Sequence, residues 1–551
     1  MFRHSLLKSP IAHLVFFLSF CLQQLSAQEY ATNPNIYADV PDMSLLRVGE
    51  YYYMSSTTMH MVPGIPIMRS KNLVDWEIVG YACDVLEDVD ALSLRNGQSA
   101  YGAGTWASSL RYKDGTFYLA VFSGTTGKTY IYSTHDVTGV WDVKSFSPMC
   151  HDCSLFFDDD GKAYILYGCG DLRLTELKED LSGFKEGGVD KVVIQNVGKV
   201  AGGKIGLSGE GSQMFKRNGK YYICNITWPQ GDMRTEIICR SDNIEGPYEG
   251  RVIFKDRGIA QGTLVEKADG DWIAYLFQDS GAVGRIPYLI PVKWEDDWPI
   301  LGVNGKAPET LPILRESKQL GNIVESDEFT RDAELLNKLS SEPREEGTFI
   351  RSAFPYSWQW NHAPDFRYWS LTERPGWLRL TTGRVDTTLP QARNTLTQRT
   401  FGPTSSATIA LDFTSLQDGD VAGLTAFQRN YGYVGVTKRD GKFYIIQAQA
   451  RIANKQSKDT VKENALEALE KTLNVVYLRV DCDFTNLKDE AAFYWSLDGV
   501  TWHEIGERLH MKYTLPHFMG YRFGLFCYAT QTPGGKADFD YFHISPTIDV
   551  Q

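Results

Sequence analysis

One strand–turn–strand phrase returns five times in the first three hundred residues of this chain. It reads Val48-Gly49-Glu50-Tyr51-Tyr52-Tyr53, then Lys113-Asp114-Gly115-Thr116-Phe117-Tyr118-Leu119 and Asp159-Asp160-Gly161-Lys162-Ala163-Tyr164-Ile165. It returns as Arg217-Asn218-Gly219-Lys220-Tyr221-Tyr222-Ile223 and Ala268-Asp269-Gly270-Asp271-Trp272-Ile273-Ala274. Asp-Gly and Asn-Gly accept the positive φ angles of tight hairpin turns, and the flanking aromatic and β-branched residues favour strands. The marker glycines lie 66, 46, 58 and 51 residues apart. Units of four short strands plus insertions at that spacing predict a five-bladed β-propeller, the alternative being an irregular all-β sandwich. Helical periodicity is scarce, and Glu463–Lys471 is the one helix-like stretch.

Each unit opens with a related phrase upstream of its hairpin: Pro41-Asp42-Met43-Ser44-Leu45, Trp106-Ala107-Ser108-Ser109-Leu110, His151-Asp152-Cys153-Ser154-Leu155, Gly209-Glu210-Gly211-Ser212-Gln213 and Gln261-Gly262-Thr263-Leu264. The first strand of a propeller blade lines the central channel, so equivalent positions converge on one axial pocket. The sequence thus delivers Asp42, Trp106, Asp152, Glu210 and Gln261 to one place. Three acids gathered in a cavity are costly, and such clusters mark functional sites.

The repeat stops after Trp298-Pro299. Residues 306–325 read as a linker between a propeller over 28–305 and a second domain over 326–551. Leu378–Thr382, Ala407–Phe413, Phe443–Ala448, Val476–Val480 and Asp540–Ile544 are strand-like without the five-fold phrase, which predicts a β-sandwich. Ahead of both, Arg3, His4 and Lys8 precede the apolar run Ile11–Leu22, with small residues at Ser26 and Ala27. That layout reads as a secretory signal over residues 1–27, so the mature chain is expected in the periplasm or outside the cell. The apolar run is shorter than the ~20 residues a membrane span needs. Cys21 leaves room for a lipoprotein reading, although Phe20 is bulky where a small residue is expected.

Composition narrows the function. With 56 basic and 68 acidic residues the net charge is −12, which disfavours nucleic acid and anionic lipid as partners. The 28 Phe, 29 Tyr and 13 Trp suit strands and sugar-stacking surfaces. Eight cysteines outside the signal are too few for a disulfide scaffold, and Cys150-His151-Asp152-Cys153 lacks the second pair a zinc site needs. Neither G-x-S-x-G nor H-E-x-x-H occurs.

Taken in order, these phrases resemble glycoside hydrolase family 43. Pro41-Asp42-Met43-Ser44 is similar to the family's base motif, His151–Phe156 to its second aspartate motif, and Gly209–Ser212 to its general-acid motif. Phe277–Pro287 resembles the last-blade segment that supplies a sugar-binding arginine, here Arg285. Residues 357–380 resemble the concanavalin-like jelly roll that follows the propeller in arabinofuranosidase and xylosidase members. Two positions depart from the pattern. Cys153 stands where proline usually follows the second aspartate, and Gln261 where many relatives carry a metal-holding histidine.

The resemblance implies inversion, with Asp42 as general base, Glu210 as general acid and Asp152 as the group that tunes and orients it; Asp39 is the rival base. Burial and Asp152 are expected to keep Glu210 protonated. Candidate substrate contacts are Trp106, by stacking; His60, on a loop over the pocket; Gln261; and Arg285, which either binds sugar hydroxyls or holds Asp152 ionised. Catalysis requires no cofactor. A structural calcium is expected on Asp327, Glu328 and Asp540, where the ends of the sandwich meet. The expected substrate is an arabinose- or xylose-containing plant oligo- or polysaccharide. Met59-His60-Met61-Val62 lacks the aromatic phrase of xylosidase-type relatives, which leans the reading to an α-L-arabinofuranosidase over a β-xylosidase or a non-catalytic carbohydrate-binding propeller.

Overall fold

The computed structural model describes residues 29–317, 320–451, 460–470, 472–514 and 519–548. The signal-like segment 1–27 lies outside them. The described chain is an all-β protein, a five-bladed propeller followed by a concanavalin-like sandwich.

Each blade is a four-stranded antiparallel sheet whose strands follow in chain order, blade I alone being interrupted by the short strand Met61–Val62. Blade I begins at Ser44–Val48, II at Ser109–Lys113, III at Ser154–Phe157, IV at Ile205–Arg217 and V at Ala260–Glu266. These five inner strands touch in a closed ring. The repeated glycines work as the sequence implies. In blades II and IV the strand partners Lys113↔Thr116 and Arg217↔Lys220 leave two-residue turns. Their central residues have positive φ: Asp114 51° and Gly115 83°, Asn218 50° and Gly219 77°. That is the backbone only Asn-Gly or Asp-Gly enters cheaply, and its twist matches the strands it joins.

The phrase that opens each blade has its own physical cause. Its hydroxyl residue staples one blade to the next: Leu110 N–H donates to Ser44 Oγ at 2.9 Å, Leu155 N–H to Ser109 at 3.0 Å, Met214 N–H to Ser154 at 2.9 Å, and Leu45 N–H to Thr263 at 3.3 Å. Four of the five seams are closed this way, blade V back onto blade I included. Two residues before the hydroxyl the chain crosses the axis, and at Asp42, Asp152 and Gln261 it does so with φ of 54°, 47° and 60°. Left-handed backbone at non-glycine residues costs of order 1–3 kcal/mol, and it re-aims these side chains into the channel. The ring is also tied at its ends, because Tyr30–Thr32 pairs with Thr310–Leu314. The stretch read as a linker therefore carries a strand that returns to the propeller.

The sandwich holds two large sheets whose strands include all five sequence candidates. The helix-like stretch Glu463–Lys471 is not helical over its described residues 463–470: Thr460–Ala468 is an edge strand paired with Lys442–Arg451. Its helix-favouring residues yield to the sheet edge, and its charges blunt that edge against further pairing. The helix lies instead at Ala333–Ser341, where the Asp332 side chain accepts the Leu335 N–H as N-cap.

The two domains share structure. Met61–Val62, from blade I, pairs with Asn361 and Trp360 at the edge of a sandwich sheet. A single buried apolar cluster runs from Ile238 and Leu276 in the propeller through Ala282, Val283 and Tyr521 to Trp358 and Phe523 in the sandwich.

Candidate active site

The five blade openings meet in a pocket of ≈ 40 Å³ lined by Asp42, Met59, Trp106, Ala107, Asp152, Glu210, Gln261 and Arg285. The pocket is blind. Below it the half-buried Arg111 donates to Ser154 Oγ (2.8 Å), Met214 O (3.1 Å) and Gln213 Oε1, and Ser44 also reaches Gln213 (3.2 Å), so the axis is filled. A larger cleft of ≈ 670 Å³, with Arg331, Arg351, Phe354 and Tyr356, lies at the domain boundary and carries none of the three acids.

Each acid has a different partner. Asp42 is 5% exposed and accepts Arg285 Nη1 at 2.7 Å. Burial raises its pKa above the ordinary range, and Arg285 is the largest opposing influence. Arg285 is fixed in turn by Asp279 (3.2 Å), which also binds Arg234 (2.6 Å). Asp152 accepts the Gly211 N–H at 2.9 Å and is pushed up to about 7 by burial, with the charges of Glu210 and Asp42 adding and His151 opposing. Glu210 sits 3.2 Å from His151 Nε2. Burial pushes its carboxyl up, but the bond from His151 and the charge on that ring outweigh it, and the net direction is down.

Two expectations change here. Glu210 does not face Asp152 alone, because His151 stands against it and draws its pKa down. Arg285 grips Asp42 rather than Asp152, because Asp279↔Arg285 are strand partners in blade V and the guanidinium lies across the axis from blade III. The Gly284 before it is obligatory: a Cβ there would lie 2.2 Å from Asp39 Oδ1.

Trp106 lines the pocket half-exposed, its Nε1 donating to Gly102 O (3.2 Å). Gln261 is buried at the pocket floor, its backbone N–H donating to Glu236 Oε2 at 2.7 Å. His60 does not overhang the pocket. It is 2% exposed in the seam between the domains, bonded to Asn361 (3.0 Å) and packed on Tyr101 and His362, and burial lowers its pKa to about 4. The loop turns into the strand that joins the sandwich sheet, which carries the imidazole inward; its neighbour Met59 lines the pocket instead. Asp39 is likewise outside the lining. Its carboxylate accepts the Arg285 N–H (2.7 Å) and its carbonyl accepts Arg399 (2.8 Å), a clamp between the domains.

The calcium expectation also meets a different arrangement. The ends of the sandwich do lie side by side, with Asp327 bridged to Phe542. Asp327, however, has both oxygens taken by Arg331 (2.9 and 2.8 Å) and also receives Trp358 Nε1 (3.0 Å), while Glu328 bonds His543 (2.6 Å). A cation is already in place, and it is an arginine. Among the described residues the three-donor group with metal-like spacing is His151, Asp152 and Glu210, within 4.8 Å of one another.

The sequence reading did not identify Met59, Ala107, His151, Asp279 or Glu236 as parts of the site. Ala107 was legible: it stands two residues before Ser109, as Asp42 stands before Ser44. The others depend on contacts between blades. The sandwich supplies Met519, which packs with Met59 and Met61 beside Trp106.

The propeller axis therefore presents three carboxylic acids, each in its own environment. The chain belongs to glycosyl hydrolases family 43, whose model matches residues 31–299; the model for the beta xylosidase C-terminal concanavalin A-like domain matches 347–545. It is 28% identical to a beta-xylosidase from Formosa agariphila over 93% of this chain and 89% of that one. It is also 28% identical to a non-reducing end alpha-L-arabinofuranosidase from Bacteroides ovatus, over 86% of this chain and 87% of that one. Among solved structures, a bifunctional GH43-CE protein from Bacteroides eggerthii superposes with a TM-score of 0.88 at 53% identity over 95% of this chain. The chain spans 64% of the length of that protein.

Proposed function

We propose that this hydrolase is exo-acting and inverting, and that it removes terminal α-L-arabinofuranosyl residues from plant cell-wall polysaccharide. The small blind pocket carries the reading, because it admits the end of a chain and not its middle. Asp42, held ionised by Arg285, activates a water. Glu210 protonates the leaving oxygen, and Asp152 tunes it from below. Two carboxyl groups and a water complete the chemistry, so no cofactor enters it. Inversion requires the base and acid about 6.5–9.5 Å apart, and Asp42 and Glu210 rise from non-adjacent blades. The name of the Bacteroides ovatus relative supports arabinose.

The name of the Formosa agariphila relative favours a second reading, β-xylosidase, by the same chemistry. The kcat/KM values on nitrophenyl α-L-arabinofuranoside and β-D-xylopyranoside separate the two, and a higher value on the xyloside overturns the first. If neither is cleaved although sugar binds, the protein is a carbohydrate-binding propeller. NMR of the first-formed anomer tests inversion. Residues 1–27 support export after cleavage at Ala27, to the periplasm or beyond, and the mass of the mature protein checks it. No helix of the described residues is long and apolar enough to cross a membrane.

A further inference from the structure

His151 is unassigned by any step above, yet its ring is built into the site. It packs edge-on against Trp106 (5.9 Å) and Phe122 (5.0 Å), which fixes the imidazole plane. Its carbonyl accepts the Gly168 N–H at 2.9 Å, which fixes the backbone. So held, Nε2 faces Glu210 Oε2 at 3.2 Å and Asp152 Oδ2 at 3.8 Å. The other groups facing this pair are the Cys169 thiol, which reaches Glu210, Asp42 beyond Asp152, and Arg285, whose charge acts on Glu210.

We propose that His151 is a positioning residue that stores the catalytic proton: in the free enzyme the proton resides on the imidazole, as an imidazolium–carboxylate pair with Glu210, and it passes to Glu210 as substrate binds. An imidazolium facing a carboxylate and a neutral imidazole facing a carboxylic acid contain the same number of protons. Which form prevails depends on what else touches Glu210. In water-filled surroundings the charged pair is favoured. A glycosidic oxygen placed against Glu210 expels water and presents an acceptor, which favours the neutral pair carrying the acid proton. The Nε2–H bond then breaks as Oε2–H forms. In the hydrolytic step Oε2–H breaks as the leaving oxygen gains the proton, the anomeric carbon–oxygen bond breaks, and water gives its hydroxide to that carbon and its proton to Asp42. Transfer of the Asp42 proton to solvent, and uptake of one by His151, restores the start.

The inference rests on Glu210 being the acid, and it makes the active enzyme the state with one proton shared by the pair. The basic limb of kcat/KM then belongs to the pair and lies higher than a carboxyl group alone places it. His151→Asn leaves Glu210 to hold the proton unaided. The basic limb on whichever aryl pentoside is cleaved is expected to move at least one unit to lower pH, so that activity falls several-fold more at pH 7.5 than at pH 5.5. If His151 served only to lower the pKa of Glu210, its loss would move that limb upward. A merely structural role would lower the profile evenly; either result overturns the proposal. A second measurement needs no turnover. The 13Cε1 resonance of His151 in the ligand-free protein is expected to titrate above 6.5, and at least one unit lower in Glu210→Gln; an unmoved titration also overturns it. An intact His151–Glu210 coupling in a protein inactive on every pentoside would indict the substrate reading instead.

Discussion

Replacing Arg285 by methionine tests how the pocket keeps its base ionised. The guanidinium lies 2.7 Å from Asp42 and both groups are buried, so solvent screens them little. Two unit charges with centres ~4 Å apart attract by roughly 4 kcal/mol at an effective dielectric of ~20. That corresponds to about three pKa units. Asp279 shares Arg285 and neutralises part of its charge, so a shift of about one to two units is the reasonable expectation. The sign follows from the role. The proposed base must act ionised, burial already raises the Asp42 pKa, and losing the cation raises it further. The acid limb of kcat/KM therefore moves to higher pH, and the variant loses most where the solution is most acidic. A profile from pH 4.5 to 8 on an aryl pentoside reads this directly. Lost contact between Arg285 and sugar lowers every point equally and leaves the limb in place. An even loss with an unmoved acid limb would refute the pairing as the cause of ionisation.

Three further outcomes are expected. Glu210→Gln should lower turnover roughly 10²–10⁴-fold on natural glycosides and much less on aryl glycosides with good leaving groups, because only the proton donor is lost; equal loss on both would move the acid elsewhere. Ser109→Ala leaves the buried Leu155 N–H without its acceptor, at a cost of about 1–3 kcal/mol, and should lower the Tm while circular dichroism stays that of a β protein. A chelator should leave the Tm unchanged, since Arg331 occupies the Asp327 carboxylate; a fall restored by calcium would return the metal to that seam.

The sequence shows more of the propeller than of its electrostatics, for physical reasons. Turn chemistry is local, so Asp114-Gly115 and Asn218-Gly219 announce their hairpins without help from the rest of the chain. The repeated hydroxyl is nearly local too, since three of the four staples join successive blades and only the one from Leu45 to Thr263 spans the chain. That is why the repeat alone places Asp42, Asp152, Glu210, Gln261 and Trp106 on one axis. What those groups face is set by pairs such as Asp42 with Arg285, 243 residues apart, and His151 with Glu210, 59 apart. No local pattern encodes those distances. His60 is misplaced by sequence for a related reason: Met61–Val62 reads as loop until Trp360 and Asn361 arrive from the other domain to pair with it. The Ala333–Ser341 helix escapes because its signal, an aspartate cap before a short mixed run, is weak against long strands on either side.

The five-fold repeat also explains how one floor supplies three carboxyl groups in three states. Symmetry places a residue two positions before each hydroxyl: Asp42, Ala107, Asp152, Glu210 and Gln261. Like charges that close would all be driven toward protonation by burial and by one another. The fold breaks the equivalence with neighbours drawn from outside the repeat. Blade V sends Arg285 to Asp42, and the residue before Asp152 turns its ring to Glu210. Asp152 receives the Gly211 N–H, lies farther from His151 Nε2 (3.8 Å) than Glu210 does, and is pushed up to about 7 by burial. The small Ala107 leaves Trp106 room to present its ring beside them. An acid beside an arginine, an acid facing an imidazole and an acid raised by burial are what the proposed general base, general acid and modulator respectively require. On the proposed roles, the catalytic division of labour therefore resides less in the three acids, which the repeat sets in equivalent places, than in the arginine and the histidine that make those places different.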